Sequence, residues 1–127
     1  MAKRILIIDD DPIALELIEY ALQQEGYETI TASNGVEGLA KVRDEKPDLV
    51  VLDVMLPGLD GFEVCHRLRA EPETARLPIL MLSAKAREVD IDTGRRMGAT
   101  IYLTKPLDPS GLVVQVGTLL EQERLDA

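Results

Sequence analysis

The chain has no tryptophan, one phenylalanine, three tyrosines, one cysteine and one histidine. So few aromatic rings argue against the stacking platforms on which single-stranded nucleic acids are held. The lone cysteine, Cys65, excludes an internal disulfide and suits a reducing compartment. No metal-ligand pattern surrounds Cys65, and it reads as core filler. His66 reads as an ordinary surface histidine. Long hydrophobic runs are also missing, since none approaches the roughly 18–20 residues of a membrane span. The start, Met1-Ala2-Lys3-Arg4, leads into a short apolar run and then three aspartates, so we expect no signal peptide there. Positive charge is in deficit: 14 Lys and Arg face 23 Asp and Glu, for a net charge of −9. That balance argues against direct nucleic-acid binding, which needs a basic face. These absences lead us to expect a cytoplasmic protein with no membrane contact.

What is present fits one globular domain. The 127 residues are 46% hydrophobic and 29% charged, enough to bury an ordinary core. We expect the domain over residues 1–123, with 124–127 a tail or the start of a linker. Short apolar runs alternate with longer amphipathic segments, five times over. The runs predict strands at Arg4–Ile8, Glu28–Ala32, Leu49–Asp53, Pro78–Leu82 and Thr100–Thr104. The first, third and fourth are apolar nearly throughout, as strands covered on both faces are. The mixed second strand belongs at an edge.

Helical spacing fills the intervals. Asp11-Pro12 offers an N-cap and a first-turn proline, followed by a stripe of Ala14, Leu17, Ile18, Ala21 and Leu22 that Gly26 stops. The second helix follows Asn34-Gly35 with Val36, Leu39 and Ala40 facing in. The third, Gly61 to Ala70, offers Phe62, Cys65 and Leu68 to the core. The fourth, Arg87 to Met97, has only a thin stripe of Val89, Thr93 and Met97, and Gly94 costs it roughly 1 kcal/mol relative to Ala. The fifth starts at Pro109-Ser110 and carries Leu112, Val113, Val116, Leu119 and Leu120 toward Glu123. Arg67, Arg69, Arg95 and Arg96 read as solvated. The (βα)5 alternation implies an α/β fold: a doubly wound, five-stranded parallel sheet with right-handed crossovers and strand order 2-1-3-4-5.

That order brings chemistry together. Asp9 and Asp10 follow the first strand, Asp53 ends the third, Ser83 follows the fourth and Lys105 follows the fifth. All open onto the carboxyl edge of one sheet, where ligands of such folds bind. Several carboxylates in one crevice cannot all stay ionised without a cation. Their oxygens suit a hard ion such as Mg2+, which takes one or two carboxylates and accepts phosphate oxygens. A lysine and a hydroxyl opposite complete a clamp for a phosphoryl group, whose transfer needs positioning and charge neutralisation. A carboxylate is a competent covalent acceptor. Each residue also has a plain reading: Asp11 as N-cap, Asp53 as a turn acid, Ser83 as a cap, Lys105 as a solvated lysine.

Taken in order, the segments Ile7-Ile8-Asp9-Asp10-Asp11, Leu52-Asp53-Val54-Met55-Leu56-Pro57-Gly58-Leu59-Asp60-Gly61, Met81-Leu82-Ser83-Ala84, Gly98-Ala99 and Tyr102-Leu103-Thr104-Lys105-Pro106 resemble the receiver domain of two-component response regulators. The resemblance covers nearly the whole chain. It implies the flavodoxin-like receiver fold, with Asp53 as phosphoacceptor and Mg2+ as cofactor. Asp10 would ligate the metal directly, Asp9 would hold it through water or support the site, and the Met55 carbonyl would be a further ligand. Ser83 would hydrogen-bond the phosphoryl oxygen, Lys105 would pair with it, and Tyr102 would be the switch aromatic that follows Ser83. Lys105-Pro106 would be a cis bond. The implied phosphodonor is a sensor histidine kinase or a histidine phosphotransfer protein. The implied output is the surface of the fourth helix, fifth strand and fifth helix, read by an effector domain, an output protein or a second copy after phosphorylation.

The sequence departs from the family at Thr100-Ile101, where many receivers carry an acidic or polar pair. This speaks against a charged dimer through that surface. Ile101, Leu103 and Val114 either form an apolar output surface or pack in the core. Met55 and Lys85 occupy positions that in the family influence phosphoryl lifetime. On this reading the protein is a switch, not an enzyme with a dedicated substrate. A Mg2+-dependent aspartyl-phosphate hydrolase would need a second aspartate where Met55 stands. A flavin-binding domain would need a phosphate-cradling loop after the first strand, where three aspartates stand instead. A phosphorylation-independent module would not need every pocket position filled.

Overall fold

The computed structural model describes residues 2–105 and 108–126. The elements alternate as β1 (Arg4–Ile8), α1 (Pro12–Gln24), β2 (Glu28–Ala32), α2 (Gly35–Glu45), β3 (Leu49–Asp53), α3 (Gly61–Ala70), β4 (Ile79–Ser83), α4 (Glu88–Met97), β5 (Ile101–Thr104) and α5 (Pro109–Asp126). The strands form one parallel sheet in the order β2-β1-β3-β4-β5. Every residue of β3 and β4 is buried, whereas both edge strands, β2 and β5, are mostly half-buried. The apolar runs thus occupy the centre, as sheets with two covered faces require.

Alternation along the strands divides the core. Leu6, Ile8, Val50, Leu52 and Met81 face one layer, with Val42 of α2, Val64, Cys65 and Leu68 of α3, and Met97 of α4. Ile5, Ile7, Leu49, Val51, Leu80 and Leu82 face the other, with Ile18 and Leu22 of α1 and Leu112, Val116 and Leu119 of α5. Helices α1, α2 and α3 each start on a side-chain cap. The carboxylate of Asp11 accepts from Ile13 N, the side-chain oxygen of Asn34 from Glu37 N, and the carboxylate of Asp60 from Glu63 N. Each satisfies a backbone donor that the first helical turn leaves unpaired.

Three strand boundaries move by one residue. Pro78 has no N–H and enters the ladder only as an acceptor, from Val50 N, so β4 begins at Ile79. The N–H of Ile79 is taken by the Thr100 hydroxyl, and β5 begins at Ile101. Ser83, paired with Thr104, ends β4 from inside the strand rather than following it.

Helix faces differ more. On α1, Leu15, Ile18 and Leu22 pack toward the sheet, while Leu17 is exposed along the α1–α5 groove. On α2, Val36 is exposed, and Gly35, Gly38 and Val42 face in, with Leu39 packed beside them. A Cβ on Gly38 would lie 2.5 Å from Cδ1 of Ile8, so the helix rests on the sheet through its glycine face. On α3, Phe62 is only partly buried, and Val64 joins Cys65 and Leu68 in the core. On α4, Val89 is exposed and the inward face is Asp90, Gly94 and Met97. Ile101 and Leu103 pack against the second core layer, whereas Val114 is exposed.

Candidate functional site

The site lies where β1 and β3 end side by side, with Ile8 registered against Leu52. Asp9 leaves β1 still bonded to β2, its N–H donating to Ala32 O. The Asp9 carboxylate is buried, 2% exposed. Its Oδ1 accepts the Asp11 N–H at 2.9 Å, and its Oδ2 accepts from Lys105 Nζ at 3.1 Å. Asp10 is exposed at the mouth. Asp53 is 6% exposed; its Oδ1 accepts the Met55 N–H at 3.0 Å and its Oδ2 accepts from Lys105 Nζ at 3.3 Å. One ammonium therefore serves two carboxylates that come from different strands.

The loop after β3 holds Asp53 in place. The N–H groups of Leu56 and Gly61 both donate to Val54 O. A Cβ on Gly61 would collide with the backbone carbonyl of Asp53, so only glycine lets α3 begin this close to the acceptor strand. Gly58 turns the loop at φ +71°, in the left-handed region that favours glycine. Met55 projects its side chain into solvent at the rim.

Charge and burial oppose each other here. Burial, reinforced by the Asp9 carboxylate, holds the Asp53 carboxyl above its ordinary value, although the Met55 N–H and Lys105 pull the other way. For Lys105, burial disfavours the ammonium, but Asp53 and Asp9 outweigh it and hold the group above its ordinary value. Asp9, Asp10 and Asp53 each place a carboxylate oxygen within 4.8 Å of the others. An all-oxygen, acid-only donor set of this kind fits a hard divalent cation, and one lysine leaves such a set negatively charged.

Ser83 and Tyr102 extend the site toward α4. Ser83 is fully buried beside β5, in register with Thr104. Its hydroxyl oxygen accepts the Lys85 N–H at 3.1 Å. The Tyr102 hydroxyl donates to the Lys85 carbonyl at 2.7 Å. Burial raises the Tyr102 phenol above its ordinary value. The two residues expected to act in sequence thus grip the same loop residue, Lys85, one at its N–H and the other at its carbonyl. A Cβ on Gly94 would lie 2.6 Å from Cδ2 of Tyr102, so the glycine that weakens α4 makes room for the ring.

The structure brings Asp9, Asp10, Asp53 and Lys105 into one cluster and sets Ser83, Lys85 and Tyr102 on the strands and loop beside it. Asp11 serves as the N-cap. The Lys105-Pro106 bond involves Pro106, which lies outside the described residues. Sequence reasoning missed the packing roles of Gly61 and Gly94. It also placed Arg69 in solvent, whereas the guanidinium is half-buried against four oxygen acceptors. The signal for Gly94 was visible, a helix breaker mid-helix, but its cause is a contact with another element.

Comparison with known proteins agrees with this geometry. Residues 5–117 match the model of the response regulator receiver domain. The alkaline phosphatase synthesis transcriptional regulatory protein PhoP of Bacillus subtilis is 46% identical over 127 residues, all of this chain and 52% of PhoP. Protein PilH of Pseudomonas aeruginosa is 38% identical over 117 residues, 92% of this chain and 97% of PilH. The chain therefore spans about half the length of one relative and nearly all of another. A solved CheY-like receiver domain protein from Methanospirillum hungatei superposes with a TM-score of 0.92 at 29% identity, covering 100% of both chains. With the strand order, the tip carboxylates and the family match in accord, the chain belongs to the response regulator receiver domain family of two-component signalling.

Proposed function

We propose that Asp53 accepts a phosphoryl group from the phosphohistidine of a sensor histidine kinase or histidine phosphotransfer protein, and that this switches the surface formed by α4, β5 and α5. The observation that carries the reading is the Lys105 ammonium shared between Asp53 and Asp9 at 3.3 and 3.1 Å, in a cluster with Asp10. An oxygen of Asp53 attacks phosphorus in line, and the P–N bond breaks with its electron pair returning to the imidazole. The Met55 N–H holds the other Asp53 oxygen and orients the carboxylate. Lys105 is already at bonding distance and follows the added phosphoryl oxygens as they form.

The acidic cluster fits Mg2+. Asp10 and Asp53 would hold it with the Met55 carbonyl, and Asp9 would support it through water. Bound there, the metal neutralises charge on the transferred phosphoryl group. The remaining work belongs to the chain. An acyl phosphate on Asp53 offers the Ser83 hydroxyl a stronger acceptor than any neutral partner. Turning toward it breaks the contact with Lys85 N, and Tyr102, bonded to the Lys85 carbonyl, moves with that loop.

The protein acts chemically on itself and turns over no dedicated substrate. An effector domain, a separate output protein or a second copy would read the altered surface. Among the described residues, no helix is long and apolar enough to cross a membrane. The test is incubation with acetyl phosphate and Mg2+, followed by intact-mass measurement of the wild type and Asp53→Ala. A gain of one phosphoryl mass in the wild type alone supports the reading.

A further inference from the structure

Among the described residues, Arg69 is the most heavily hydrogen-bonded side chain outside the site. Its Nε donates to Gly98 O at 2.9 Å, Nη1 to Leu77 O at 2.6 Å and to Thr74 O at 3.2 Å, and Nη2 to Thr100 Oγ1 at 3.2 Å. Thr100 Oγ1 accepts in turn from Ile79 N. One guanidinium on α3 thus joins the α3–β4 loop, the end of α4 and the junction of β4 with β5. Among the described residues no carboxylate lies within ion-pair distance of it. A half-buried cation satisfied by neutral oxygens alone is a specific geometric device, because guanidinium donors point in fixed directions. Burial holds this group below its ordinary value, so the arrangement is not one that Coulomb attraction alone would assemble.

The end of α4 is shaped around that side chain. Gly98 closes the helix at φ +107°, and a Cβ there would lie 2.5 Å from Cγ of Arg69. The Cys65 thiol adds a second tie, donating to Met97 O at 3.3 Å. Burial pushes that thiol up to about 11, which keeps it a donor at neutral pH.

The other end of α4 is held loosely. Its N-cap, Arg87, makes no side-chain capping bond. Residues 84–89 are exposed. Arg87 pairs with Asp90 within the first turn, which ties that turn only to itself. Along the middle, Gly94 lies against the Tyr102 ring with the Met81 sulfur beside it.

We propose that Arg69 makes the C-terminal end of α4 a fixed pivot, so that movement of the Lys85 loop and Tyr102 swings the N-terminal half of the helix and leaves Met97 and Gly98 in place. This rests on the phosphoryl switch proposed above for its trigger, but not for the pivot itself. Arg69 is a positioning residue: it touches no reacting atom and acts by deciding where along α4 the surface change appears.

Amide hydrogen exchange on the wild type, Arg69→Gln and Arg69→Lys tests this, each before and after acetyl phosphate with Mg2+. Intact mass of the same samples reports phosphate uptake separately. In the resting protein, Arg69→Gln is expected to speed exchange about tenfold or more at Arg95–Thr100, because the charge-assisted bonds to Gly98 O and Thr100 Oγ1 are lost there, while β1 and β3 keep wild-type rates. Arg69→Lys does not rescue, since one ammonium cannot span four oxygens. After phosphorylation, wild-type changes concentrate in Lys85–Ile91 and fade by Met97, whereas in Arg69→Gln they reach Thr100. Uniform acceleration of every amide in Arg69→Gln would overturn the pivot, as would unchanged exchange at Arg95–Thr100. So would wild-type changes as large at Met97 as at Glu88. If the mass shows no phosphate uptake, the phosphoryl reading fails by itself and the resting-state comparison still decides the pivot.

Discussion

The ammonium of Lys105 stands 3.3 Å from Oδ2 of Asp53, two strands away across the sheet, and the same nitrogen bonds Asp9 at 3.1 Å. The resting site therefore supplies its own counterion. A single positive charge does not neutralise two carboxylates with a third beside them, and the remaining negative charge suits a hard cation.

Lys105→Ala removes that counterion. Without metal the variant is expected to lose about 1–3 kcal/mol of stability at low ionic strength, because two buried carboxylates lose a charged hydrogen-bond donor. Mg2+ recovers more stability in this variant than in the wild type. Urea unfolding with and without Mg2+ checks both statements. Phosphate uptake in this variant leaves the amide spectrum of α4 and β5 closer to its resting form than uptake does in the wild type.

Asp53→Asn probes the cost of burying charge. The folded Asp53 carboxyl lies above its ordinary value of 3.8, so the native state holds that proton more tightly than the unfolded chain. Its contribution is present below the unfolded value and is lost as pH rises through the folded one. Asn cannot ionise. In EDTA, Asp53→Asn is expected to be more stable than the wild type at neutral pH, with the difference shrinking as pH falls toward 3.8. Thermal midpoints across that range measure it, and a difference that grows on acidification would contradict the sign.

Tyr102→Phe deletes only the hydroxyl that bonds the Lys85 carbonyl at 2.7 Å. The ring keeps its packing with the α3–α4 layer. The expected loss is roughly 0.5–1.5 kcal/mol, the net worth of one hydrogen bond. Initial rates of phosphate uptake stay at the wild-type level, since the hydroxyl lies outside the Asp53 cluster.

Gly94→Val sets helix propensity against packing. Valine is the better helix former by a few tenths of a kcal/mol. Its Cβ would nevertheless meet the Tyr102 ring at 2.6 Å, an overpacking worth about 1–3 kcal/mol. Net destabilisation of ~2 kcal/mol is expected, with Tyr102 displaced from its slot. A more stable variant with an unmoved Tyr102 signal would contradict the account.

The sheet order and the acidic crevice were legible because each depends on short, local signals: apolar runs of strand length, and the residue that ends each run. The helix faces were less so. Val36 and Val89 sit at plausible stripe positions, yet the contacts of Gly38 with Ile8 and Gly94 with Tyr102 decide which side faces in. A glycine approach carries no hydrophobic signal, so periodicity points past it. Arg69 was misread for a related reason. Its partners are backbone carbonyls at Thr74, Leu77 and Gly98, and such acceptors have no residue type that a sequence displays.

The most direct test of the central claim is the intact mass of the protein after incubation with acetyl phosphate. Wild type with Mg2+ is predicted to gain the mass of one phosphoryl group, and to gain none when EDTA replaces the metal or when Asp53 is Ala. No gain in the wild type, or an equal gain in Asp53→Ala, would contradict it.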